Sequence, residues 1–127
     1  MSVTKTTTIT ALAGNLVVDF EANASAEQNV TGNTSGKFYL VEIDNTANAT
    51  TLAYLKIQDS GQNAVPSNAS TGIPTWQLAA PAASKITYAF PEGQDYSAGL
   101  NVWCVTSPAH QSVASPASAV TVKIIAS

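Results

Sequence analysis

What most constrains this chain is its rhythm. Short runs of β-branched and aromatic residues recur between clusters of Gly, Pro, Asn and Ser, and no apolar stripe keeps a helical period for a dozen residues. That pattern predicts an all-β protein. The expected strands are Val3–Thr10, Asn15–Phe20, Lys37–Asp44, Thr51–Gln58, Thr75–Leu78, Lys85–Phe90, Leu100–Thr106 and Ala119–Ile125. About eight short strands suit a two-sheet β-sandwich. In "KFYLVEIDN" period-two geometry puts Tyr39, Val41 and Ile43 on one face and Glu42 and Asp44 on the other. In "LAYLKIQD" Ala53, Leu55 and Ile57 form the inner set against Lys56 and Gln58. Between these strands lies "DNTANAT", rich in side chains that hydrogen-bond nearby backbone, so the two strands are expected to form a hairpin.

Two stretches break the rhythm. Ser60–Pro74 is rich in Gly, Pro, Ser and Asn and reads as a surface loop, longer than the usual connection of about 4–6 residues. Ala22–Gly36 is similar, and its first half also suits a short helix. Residues 1–10 are set apart as an N-terminal arm or edge strand, and residues 11–127 as a single domain.

A chain of 127 residues can bury one core, and its 45% hydrophobic content is globular although only 10% of residues are charged. The net charge of −3 and five scattered basic residues argue against nucleic acid as partner, because neutralising phosphates takes clustered Lys or Arg. A single cysteine excludes an internal disulfide, and one Cys with one His cannot close a zinc site. "MSVTKTTTIT" lacks the apolar run of a secretory signal, and no segment reaches the roughly 20 apolar residues of a membrane helix, so synthesis in a cytoplasm and no membrane partner are expected.

The residues able to carry chemistry cluster in "AFPEGQDYSAGLNVWCVTSPAHQS", residues 89–112. Cys104 sits in "LNVWCVT", apolar on both faces, and reads as a small core hydrophobe of a central strand. His110 lies in the polar "SPAHQS" and is expected in an exposed loop. Glu92 and Asp95 in "PEGQD" read as turn residues around Pro91 and Gly93, rather than as paired acids across a cleft. Trp76, Trp103, Tyr39, Tyr54, Tyr88 and Tyr96 suit a core rim or subunit interface, with sugar stacking as the rival use. No catalytic set, cofactor site or metal site emerges, so an enzyme is not expected.

The run "YLVEIDNTANATTLAYLKIQDS", followed by "PTWQLAAPAASKITYAFPEGQDYSAGLNVWCVTSPA", resembles small virion structural proteins of tailed bacteriophages, cyanophages among them. The likeness runs from about Phe38 to Thr106; the loop Ser107–Ser115 and the Thr-rich start depart from it. It implies a jelly-roll-like sandwich acting as a capsid decoration (cement) protein on the virion surface, bound to the major capsid protein as a homotrimer. The alternative within the resemblance is a fibre knob or tip that binds a host receptor or glycan. A secreted Ig-like adhesion module is the rival from another class. The residues expected at capsid or subunit contacts are Val3, Thr6 and Thr8 in the arm, Ile73 and Trp76 beside the long loop, and His110 and Gln111 in the loop after Cys104.

Overall fold

The computed structural model describes residues 15–61 and 73–127. Seven strands form there: β1 (Asn15–Ala22), β2 (Gly36–Asp44), β3 (Ala53–Asp59), β4 (Trp76–Ala80), β5 (Lys85–Tyr96), β6 (Leu100–Val105) and β7 (Val120–Ala126). No helix occurs among the described residues. The strands make two antiparallel sheets, one of four in the order β1-β7-β2-β5 and one of three in the order β4-β3-β6. The protein is therefore all-β, with its core between two sheets. The expected strand Val3–Thr10 and most of the long loop lie outside the described residues.

Pairing follows a nested pattern. β1 pairs with β7, β2 with β5 and β3 with β4. Between β1 and β2, residues 23–30 run irregularly alongside β6, with one bridge at Glu27, rather than as the short helix the composition allowed. Glu27 and Val102 exchange backbone bonds of 2.8 and 2.9 Å, Val30 donates to the Leu100 carbonyl at 2.9 Å, and Cys104 donates to the Asn23 carbonyl at 2.8 Å. The reason lies in β6, whose six residues are all buried: its backbone groups need partners on both edges, and β3 supplies only one.

The inner faces carry Val41, Ile43, Val122 and Ile124 from one sheet and Ala53, Leu55, Ile57, Val102 and Cys104 from the other. Phe38 meets Trp76 and Phe90 edge-on, each with ring centroids 5.1 Å apart, a favoured aromatic geometry. A second, smaller cluster of Ala24, Trp103 and Val105 lies on the outer face of the three-stranded sheet, with Ala26 and Tyr54 packed against it.

Three local expectations are corrected. β2 and β3 do not form a hairpin: β2 lies between β7 and β5, and β3 between β4 and β6, in opposite sheets. The Asn-rich linker carries the chain across the core instead. Within it buried Asn45 donates through Nδ2 to the carbonyls of Thr51, Ala80 and Pro81, so the same polar side chains that signalled a turn stitch together loops from both sheets. Tyr39 does not share the face of Val41 and Ile43. A register shift between Phe38 and Leu40 advances the pleat, so Phe38 is the residue buried with them.

The "PEGQD" stretch does not end its strand. β5 runs on through Pro91 to Tyr96, and the irregularity is a bulge in which Leu40 pairs with Ala89 but Phe38 with Gln94. Pro91 is tolerated because β5 is at the end of its sheet, and Gly93 takes a φ of 78°. A Cβ on Gly93 would come within 2.8 Å of Lys37 Cδ and 2.9 Å of Tyr39 Cε1.

Candidate functional site

The outer face of the three-stranded sheet presents Lys56 on β3 opposite Trp103 on β6. Period-two reasoning sends Lys56 to solvent, yet it is 0% exposed, and its ammonium donates to the Ala109 carbonyl. Burial pushes the Lys56 pKa below its ordinary 10.5. Buried on the same sheet, Gln58 Oε1 and Trp103 Nε1 have no hydrogen-bond partner among the described residues.

The cover is the loop that follows β6, and it is built from its own short side chains. Thr106 N–H donates to the Ala114 carbonyl at 2.9 Å and closes the loop's base. Inside it the Ala109 N–H donates to Ser107 Oγ at 3.2 Å, and the Ala24 N–H ties Ser115 Oγ to the neighbouring segment at 3.1 Å. Lys56 holds this loop from below, and its tip is left facing outward.

Two of the loop residues expected at contacts are at that tip. His110 and Gln111 are exposed, and with Ser107, Ala109, Ser112 and the exposed Ile73 they line one shallow hollow. Residues more than thirty positions apart in sequence are thus brought together, which the sequence did not reveal. Trp76, expected at the same contacts, is elsewhere: it is half-buried against Phe38 and the main core. Val3, Thr6 and Thr8 lie outside the described residues. The hollow joins an apolar side chain to an imidazole, a carboxamide and serine hydroxyls.

The thiol of Cys104 is fully buried on the inner face, and burial, with a smaller push from the Asp19 carboxylate, raises its pKa to about 12. It has the character of a core hydrophobe, as expected. Asp95 is engaged by Lys37, whose ammonium lies 2.8 Å from Oδ1. Of the Trp and Tyr side chains, Trp103 and Tyr96 are buried, half-buried Tyr88 donates to the Ala79 carbonyl at 2.5 Å, and the Tyr96 hydroxyl is 2.7 Å from Thr31 Oγ1. Among the described residues no group of three or more His, Cys, Asp or Glu side chains is placed to hold a metal ion, and no helix is long and apolar enough to cross a membrane.

Two features are not readable from the sequence pattern. One is the buried Lys56, whose cover comes from a loop about fifty residues later in the chain. The other is on β1, where Leu16 and Phe20 are exposed. Alternation in "NLVVDFEA" is imperfect, and only the pairing with β7 assigns its faces. No protein-family model matches this chain, and no curated protein or solved structure matches it either.

Proposed function

We propose that this chain is a non-enzymatic structural protein of a tailed-phage virion, and that it decorates the head by binding across neighbouring major capsid subunits. The observation that carries the proposal is the nested pairing. A jelly roll is one long antiparallel hairpin wound on itself, so that the first strand pairs with the last and the second with the second-last. Counting residues 23–30 as an irregular strand, the pairs here are β1 with β7, residues 23–30 with β6, β2 with β5, and β3 with β4. That winding supports a jelly-roll reading, and jelly rolls recur in viral capsid domains.

The hollow of Ile73, His110 and Gln111 is then the capsid-facing contact. A cement protein that binds only the mature lattice stabilises it by linkage, and many weak contacts on a symmetric shell act together. The internal placement of Trp103, Tyr96 and Tyr88 gives less support to a fibre tip that stacks on glycans.

The experiment is binding of the purified chain to heads of the source phage that have been stripped of their surface proteins, followed by cryo-electron microscopy. Density on the head surface and a raised temperature of genome release are the expected results. His110→Ala with Gln111→Ala should lower occupancy at least tenfold while leaving the melting temperature of the free protein unchanged. Density on a tail or fibre, or no binding, overturns the proposal.

A further inference from the structure

The described part of β1 has one strand partner, β7, on one edge, and no described strand pairs with the other. Its outward-facing side chains include Leu16, which is 61% exposed, and Phe20, which is 69% exposed. Val17 and Asp19 face inward, opposite the buried Ile124 and Val122. Large apolar side chains on an open-edged strand mark a place where another strand can add.

We infer that β1 pairs antiparallel with β1 of a second copy about a two-fold axis at Val18. The register follows from three requirements. An axis perpendicular to the sheet keeps inner faces with inner faces, which requires it to pass through a residue, because directly opposed side chains lie on one face. An axis at Asp19 sets two carboxylates against each other, and one at Val17 places Phe20 opposite a residue that precedes β1. An axis at Val18 sets Leu16 against Phe20 of the second copy and Phe20 against Leu16, so each exposed side chain covers the other. It also places Asp19 opposite Val17, so that no acids are directly opposed in the regular part of β1, which ends at a bulge between Asp19 and Ala22. The two Asp19 side chains stand on a diagonal, and that remaining repulsion makes Asp19→Asn a strengthening change.

The contact joins two short strands and a few side chains, at the low end of interface sizes, so the dimer dissociates on dilution. It is independent of the capsid proposal, because it concerns the free protein. It gives a dimer where the resemblance to virion proteins implies a trimer.

The test is mass against concentration for the full chain, by sedimentation equilibrium. A monomer that doubles its mass at high concentration is expected, with the doubling lost in Leu16→Lys and Phe20→Lys and shifted to lower concentration in Asp19→Asn. Both lysine positions are exposed, and circular dichroism of the variants verifies that they fold. Register is read by cross-linking under mild oxidation. Val18→Cys should link to itself, whereas Leu16→Cys should link to Phe20→Cys and not to itself, with buried Cys104 silent in all three. A monomer at every concentration, a trimer that survives the lysine changes, or equal linking at all three positions overturns the inference. So does a monomer that dimerises only after residues 1–10 are deleted, which would give the edge to the chain's own N-terminal segment.

Discussion

Asn48 donates through Nδ2 to Asn45 Oδ1 at 2.9 Å, and both side chains are buried at one end of the molecule. Asn48 also bonds Ser118 in both directions, donating to its carbonyl at 3.0 Å and accepting its N–H at 2.9 Å. With the three carbonyls held by Asn45, the pair joins the β2–β3 crossing, the β4–β5 turn and the approach to β7. This is a polar lock where the two sheets have no shared edge.

Asn45→Ala removes a buried donor from three carbonyls and leaves the Asn48 amide short of its acceptor. Each buried polar group left without a partner costs about 1–3 kcal/mol, so a loss of about 2–4 kcal/mol is expected in urea unfolding. Asn45→Asp should cost more, since a carboxylate has no N–H to give and is charged in a buried site. A loss under about 1 kcal/mol for Asn45→Ala would mean that water replaces the lock.

Lys56→Met should leave the fold intact and match or exceed the parent in stability, because a buried ammonium whose partner among the described residues is one carbonyl is poorly compensated for its lost hydration. The advantage should depend on pH. Folded Lys56 holds its proton less tightly than the unfolded chain does, so in the window below 10.5 the unfolded state binds more protons and the parent gains stability as pH rises. The difference between variant and parent should therefore shrink from pH 7 to pH 10. A difference that is constant or grows contradicts the burial of the charge.

Cys104 should resist thiol reagents in the native protein at pH 8 and react at once in denaturant. Its raised pKa also carries the opposite sign to Lys56. Above its ordinary 9.0 the unfolded chain loses a proton that the folded chain keeps up to about 12, so this thiol lowers stability as pH climbs through that range. Cys104→Ala should remove that slope. Rapid native labelling would mean that the inner face opens on the timescale of the assay.

Two glycines separate backbone strain from steric conflict. Gly32 has a φ of 74°, and a Cβ there would meet nothing within 4 Å, so Gly32→Ala should cost about 1 kcal/mol from conformation alone. Gly93, with a φ of 78°, would drive its Cβ against Lys37 and Tyr39, so Gly93→Ala should cost about 1–3 kcal/mol more. Thermal melts of the two variants give the comparison directly, and equal losses would show that Lys37 and Tyr39 yield at no cost.

The strands were legible because each is a run of β-prone residues with turn chemistry on either side, and β1, β3 and β7 begin and end close to where the pattern puts them. The sheets they join were not legible. "DNTANAT" announces that the chain changes direction, but the same Asx chemistry serves a hairpin and a crossing between sheets. Bulges hid the phase of Phe38 and Tyr39 and the continuation of β5 past Pro91, since one extra residue inverts every later inside-outside assignment. Of the residues expected at contacts, His110, Gln111 and Ile73 are exposed, as their polar loops led one to expect, while Trp76, packed on Phe38, was not separable from the core by composition. Lys56 was unreadable because its burial depends on a loop far along the chain.

The pairing of Asn15 with Ala126 joins the two ends of the described body. During synthesis β1 leaves the ribosome before the other described strands and must wait until β7 has been made before its ladder can close. Most contacts of this fold span long stretches of sequence, so its contact order is high and its folding slow. Throughout that delay Leu16 and Phe20 travel on a strand with both edges unsatisfied, which makes β1 the segment most in need of a chaperone while the chain is being made.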